Sequence, residues 1–212
     1  MKTPGVNEMH TVDPTTAPWQ EVYRRLTEIV LPRPIALVST VDPEGRENLA
    51  PFSFYTVVSS NPPYLAFSPH RSGRSGEKKD TLLNVETTGE FVVGVVTEAI
   101  AERVNAASAR LPHGVSEFTH VGLTPARAAL VRPRLIAESP VNVECRLVEV
   151  RTYGDAGGAG SLLVGRVVQM HIQADLLDED GRVRPERLGA VGRMGGELWV
   201  RTRDTFALPR PE

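Results

Sequence analysis

Between Ser68 and Thr81 the chain carries Ser68, His70, Arg71, Lys79, Asp80 and Thr81, a set of side chains able to hold a phosphate. Arg71 can grip two phosphate oxygens at once, Lys79 adds a point charge and Thr81 a hydroxyl. An apolar run opens at Leu82, so the set falls where a helix begins, and a helix start offers unpaired amides and partial positive charge. Asp80 is itself negative and suits the cap of that helix better than a phosphate contact. A solvated basic loop would carry the same residues.

A second set lies upstream. Ala50-Pro51-Phe52-Ser53 ends a strand, and Pro51 lacks an amide and shapes the turn, which leaves the Phe52 and Ser53 amides to point outward. The Ser53 hydroxyl is a further donor. Ser39 and Thr40 end the preceding strand with hydroxyls on alternate faces, so one of them, Thr40 in preference, would face a ligand. Asn48 either reaches the polar edge of a ligand or satisfies its own hairpin. Alone, this text also describes an ordinary strand-end turn. The two sets together offer a flat apolar slot edged by backbone donors, next to a cationic, hydroxyl-rich pocket. That suits a planar ring system with a phosphate tail, and FMN is the candidate.

The elements that must position these residues follow from periodicity. Trp19, Val22, Tyr23, Leu26, Ile29 and Val30 share one helical face, and Pro32 and Pro34 stop that helix. Residues 35–41 are almost continuously apolar, as in a strand covered on both sides. Asp42-Pro-Glu-Gly45 turns the chain into a returning strand at 46–50. Strands are expected at 54–59, 64–68 and 91–96, and long ones at about 141–152 and 161–173 joined by the glycine-rich 154–160. A short strand follows at 198–201. Helices are expected over 82–87, capped by Asp80, and from Thr97 through Ser108. Residues 1–18 read as a flexible arm and 19–212 as one domain. Strands outnumber helices and connect mostly as hairpins, so the fold expected is mainly β, a barrel with helical insertions.

At 212 residues, 41% hydrophobic and 24% charged, the composition is that of a globular domain. A net charge of −2 gives no electrostatic footprint for nucleic acid. No apolar run reaches the length of a spanning helix, and the N-terminus lacks a secretory segment, so a cytoplasmic protein away from membranes is expected. The single cysteine, Cys145, excludes an internal disulfide framework, and alternation places it inward on a strand as a small hydrophobe. The five histidines show no metal spacing. His171 reads as a satisfied structural histidine in preference to a group at a reaction centre. The 154–160 glycines open no helix and fail the dinucleotide fingerprint, and no nucleophile elbow is present.

The order and spacing of several words resemble the flavin reductase-like family, whose fold is the FMN-binding split barrel. They are Arg33-Pro-Ile-Ala-Leu-Val-Ser-Thr40 through Phe54, Val57-Val-Ser-Ser-Asn-Pro-Pro63, Lys79-Asp-Thr81, Gly89-Glu-Phe-Val-Val93, Ser116-Glu-Phe118 with Gly122-Leu-Thr124, Glu138-Ser-Pro-Val141 and Gly192-Arg-Met-Gly-Gly196. The likeness covers about residues 20–208. It implies non-covalent FMN (FAD in some members), NADH or NADPH as co-substrate, and a homodimer with FMN near the subunit interface. An oxygenase or another acceptor would take the electrons. Arg193 would then meet the flavin, the partner subunit or a salt bridge, and Trp199 would stack on a ring or, by preference, join the core. A non-catalytic electron carrier or flavin store is the alternative.

Overall fold

Every residue of the strand Ala36–Val41 is buried, because a different layer covers each of its faces. In the computed structural model, which describes residues 9–109, 111–112 and 114–211, this strand is β2. The first eight residues of the expected arm and His113 lie outside the described residues. The chain runs α1 (Trp19–Ile29), β1 (Arg33–Pro34), β2, β3 (Glu47–Phe52), β4 (Tyr55–Ser60), β5 (Pro63–Phe67), α2 (Asp80–Thr88) and β6 (Glu90–Val95). It continues through α3 (Ala101–Ala106), α4 (Glu117–Val121), β7 (Pro125–Ala126), β8 (Leu135–Ile136), β9 (Val141–Thr152) and β10 (Ser161–Ile172). The last elements are α5 (Pro185–Leu188), β11 (Val191–Arg193) and β12 (Trp199–Arg201).

Seven strands form one antiparallel sheet in the order β3-β2-β6-β9-β10-β5-β4. Its inward residues, among them Ala36, Val38, Phe67, Phe91, Cys145 and Leu163, pack into one interior together with Leu82 and Val85 of α2. The opposite face of β2 and β6, through Leu37 and Val92, packs on Ile100, Val104, Phe118 and Ile136. This double cover is why β2 reads as a continuous apolar run. Burial pushes the Cys145 thiol up to about 12, which leaves it an inert core group.

The two edges of the sheet, β3 and β4, are consecutive in sequence yet not hydrogen-bonded to each other. Ser53 and Phe54 cross between them. The barrel is therefore split at this point, and the split positions the site.

Several boundaries differ from the sequence expectations. α2 begins at Asp80 itself, with Lys79 in the N-cap position, so Asp80 contributes charge to the first turn and is not the cap. The helix expected from 97 to 108 is a 3₁₀ turn at Glu98–Ile100 followed by a short α3. The apolar face of α1 stays largely exposed, with Thr27 its buried residue. Among the described residues, no helix is long and apolar enough to cross a membrane.

Candidate functional site

Edge strand β3 sets one wall of the split. The Leu49 amide donates to a carboxylate oxygen of Glu117 at 2.9 Å, so Leu49 faces away from β2. In an antiparallel pair the outward positions alternate, which makes Pro51 outward as well. Proline is tolerated there because an edge position loses no ladder bond. The same alternation turns the Phe52 amide toward Ala36 of β2, its register partner, and leaves Ser53 as the next outward amide. Of the two amides expected at this edge, that of Phe52 belongs to the ladder with β2, and that of Ser53 lies just past the end of the strand.

Around this wall lies a crevice of about 430 Å³ lined by Pro51, Phe52, Ser53, Phe54, Ser68, His70, Arg71 and Lys79, with Trp19, Gln20 and Tyr23 of α1 along its rim. Tyr23 stacks on Phe54 with ring centroids 6.2 Å apart, and His70 stands edge-on to Phe54 at 4.5 Å. Burial, reinforced by the charge of Lys79, lowers the His70 pKa, so the ring is neutral near pH 7. Lys79 Nζ lies 5.4 Å from the Phe52 ring centroid. Arg71 is held by donation from Nη1 to the Gly76 carbonyl at 2.9 Å, while its buried Nε has no hydrogen-bond partner. A buried N–H left over in this way is costly unless a ligand acceptor meets it.

A second lobe of about 410 Å³ shares Pro51, Ser72 and Lys79 with the first and continues past Asn48, Ala50, Asp80, Thr81 and Glu117 to residues 107–109 and Leu111. The N-terminus of α2 opens into it, and the Asp80 and Thr81 amides precede the first intrahelical donors, Leu82 and Leu83. Burial, with Asp80 adding and the Leu49 amide opposing, raises the Glu117 pKa.

The structure thus brings Asn48, Ala50, Pro51, Phe52, Ser53, Ser68, Arg71, Lys79, Asp80 and Thr81 to one continuous crevice. It withdraws others. Ser39 and Thr40 are fully buried. Thr40 Oγ1 accepts from Asn48 Nδ2 and Asn84 Nδ2, both at 3.1 Å, and Asn48 Nδ2 also donates to Thr81 Oγ1 at 2.9 Å. These four side chains pin α2 against β2 and β3: Asn48 and Thr81 stand in the wall of the second lobe with their polar groups joined to each other, and Thr40 lies behind them, so the cluster places the helix N-terminus. Arg193 lies over the Trp199 ring, 5.1 Å from its centroid, and donates to the Gly196 carbonyl, away from the crevice. Trp199 packs against the core.

Residues that sequence reasoning missed are Trp19, Tyr23, Phe54 and Gly158. Through Gly158, the 154–160 loop forms a wall of the first lobe. Gly158 and Gly73 lie flat against the Trp19 ring, where a Cβ would come within 2.7 and 3.2 Å. Helical periodicity was the signal for Trp19 and Tyr23, but it names a face without saying what that face covers.

The family model for the flavin reductase like domain matches residues 28–187. The chain belongs to the flavin reductase-like family. Among its relatives, the uncharacterised protein BH2278 of Halalkalibacterium halodurans is 40% identical over 202 residues, covering 94% of this chain and 96% of that one. The crystal structure of nitrilotriacetate monooxygenase component B from Bacillus cereus is 33% identical, with a TM-score of 0.89, and covers 95% of this chain and 100% of that one. A structure from Shewanella frigidimarina, described as having a split barrel domain, is 22% identical with a TM-score of 0.82 and covers 96% and 100% of the two chains. The mainly β split barrel expected from sequence is therefore the fold of this flavin reductase-like chain.

Proposed function

We propose that the chain is a cytoplasmic, homodimeric FMN-binding oxidoreductase of flavin reductase type, taking hydride from NADH or NADPH. The observation that carries this reading is the two-lobed crevice at the split between β3 and β4. One lobe is aromatic and edged by the outward Ser53 amide, and the other is cationic and opens on the N-terminus of α2. A flat ring fits the first lobe. The orphaned Arg71 Nε, Lys79 and the first amides of α2 supply the donors that a phosphate requires.

When bound, FMN would supply the hydride-accepting centre, and the electrons would pass on to free flavin, an oxygenase or another acceptor. The chain's own residues orient and shield. Ser53 donates at the ring edge, Trp19, Tyr23 and Phe54 exclude water, and Arg71 and Lys79 hold the anionic tail. No side chain has to move a proton in the hydride step. Similarity to a monooxygenase component supports an oxygenase as the acceptor of the electrons.

The test is the visible spectrum of the FMN-loaded protein under anaerobic conditions. Bleaching of the flavin band by NADH or NADPH, faster than that of free FMN, is expected. A band that only dithionite bleaches would make the chain an electron carrier and overturn the reductase reading.

A further inference from the structure

Arg33 opens the Arg-Pro-Ile-Ala run, and nothing described so far uses its side chain. It is 7% exposed. Its Nη1 donates to the carbonyls of Thr27 and Val30 at the end of α1, its Nη2 to the Met194 carbonyl at 2.9 Å, and its Nε to Ser53 Oγ at 3.4 Å. All four partners are neutral. The end of α1 lends only a partial negative charge. Among the described residues, no carboxylate is paired with Arg33, and the charged group that acts on it is a like charge, Arg193. Burial lowers its pKa, with the Tyr23 phenol opposing, yet a guanidinium keeps its proton in a protein.

A buried cation without an anion is costly, and removing its carbonyl partners would make it more so. Such a charge earns its place where the missing anion arrives with a ligand, since a fixed charge needs no reorganisation when negative charge develops. Two groups beside this guanidinium, Ser53 and Tyr23, line the crevice. Reduction of a flavin places negative charge on the pyrimidine side of its ring.

We propose that Arg33 is a positioning residue that acts through Ser53 as the standing counter-charge of the crevice, so that the protein holds reduced FMN more tightly than oxidised FMN. This rests on the FMN reading above and adds to it a residue and a redox preference.

The experiment is anaerobic titration of the full chain with oxidised and with reduced FMN. The wild type should bind the reduced form at least about tenfold more tightly. Arg33→Gln should cut that ratio at least about fivefold, whereas Arg33→Lys, which keeps the charge and loses the fork, should hold it within about twofold despite lower stability. A purely structural role would move Tm and leave the ratio alone. A folded Arg33→Gln protein with the wild-type ratio overturns the proposal. Should that variant not fold, sulfite binding to the wild-type holoprotein decides. Sulfite adds to oxidised flavin and leaves negative charge on the same side of the ring, so it should bind at least about tenfold more tightly than to free FMN, and equal or weaker binding overturns the proposal. Failure of the wild type to bind either form of FMN would instead overturn the FMN reading, and this proposal with it.

Discussion

Glu144 shows how much one residue can depend on distant chain. Alternation along β9 turns it away from Cys145, onto a face that a lone sheet would leave to water. Instead it is fully buried. One carboxylate oxygen accepts the Ala129 amide at 2.8 Å and lies 2.6 Å from His171 Nε2, while the other accepts the Leu130 and Val131 amides at 2.6 and 3.1 Å. His171 is accordingly a partner of this carboxylate, as its structural reading requires. Burial opposes the charge on Glu144, but the Ala129 amide, His171 and the Leu130 amide outweigh it and hold the carboxyl below its usual range. A depressed carboxyl contributes stability that is complete above its unfolded value, ~4.3, and is lost as pH falls through the folded value. Glu144→Gln should therefore cost about 1–3 kcal/mol near pH 7, because an amide nitrogen in place of one oxygen leaves buried backbone donors unmet, and should flatten the acid limb of Tm against pH. A wild-type acid limb retained in the variant would show that other carboxylates set it.

At the scale of elements, the 154–160 loop and α1 meet through Trp19. Gly158 has φ +87°, and a Cβ there would sit 2.7 Å from the indole. Gly158→Ala should thus displace the ring from the rim of the crevice and weaken FMN binding several-fold, on top of about 1 kcal/mol for the left-handed backbone. Gly154→Ala is the matching control. Its φ is +101°, yet its Cβ would meet only Ala159 at 3.5 Å, so stability should fall while FMN affinity holds. Equal affinities in the two variants would remove Trp19 from the site. The elements themselves were legible because their signals are local. The run at 36–41, the alternation at 141–147 and the turn at Asp42–Gly45 each carry their own pattern. What escaped was set by long-range cover. Ser39 and Thr40 end a strand as expected, but both are fully buried, and Asn84 of α2, more than forty residues away, takes part in the cluster that removes Thr40 from the crevice. The Phe52 amide was lost for a similar reason, since only the register with Ala36 tells which amides of β3 face outward.

For the whole molecule, the exposed apolar surface is the unresolved term in its energetics. The face of α1 that periodicity picks out leaves Ile29 72% exposed, with Tyr23, Leu26 and Val30 beside it, and β4 presents Val57 at 67% along with Val58. Tyr23 of α1 stacks on Phe54, the residue before β4, and both rings line the crevice. Exposed apolar surface on this scale marks an interface when a partner covers it, and burying it stabilises by roughly 25 cal/mol per Å². A second copy of the chain is the occupant proposed, which would cover α1 and finish the rim of each crevice. The wild type should sediment at twice the chain mass. Ile29→Asp with Val58→Asp should shift it to the single-chain mass, because a carboxylate buried without a partner costs several kcal/mol. Since these side chains do not line the crevice, a fall in FMN affinity that follows the loss of the dimer would show that the site depends on the pair. Sedimentation of the wild type as a monomer would rule the pair out and leave α1 to a different partner.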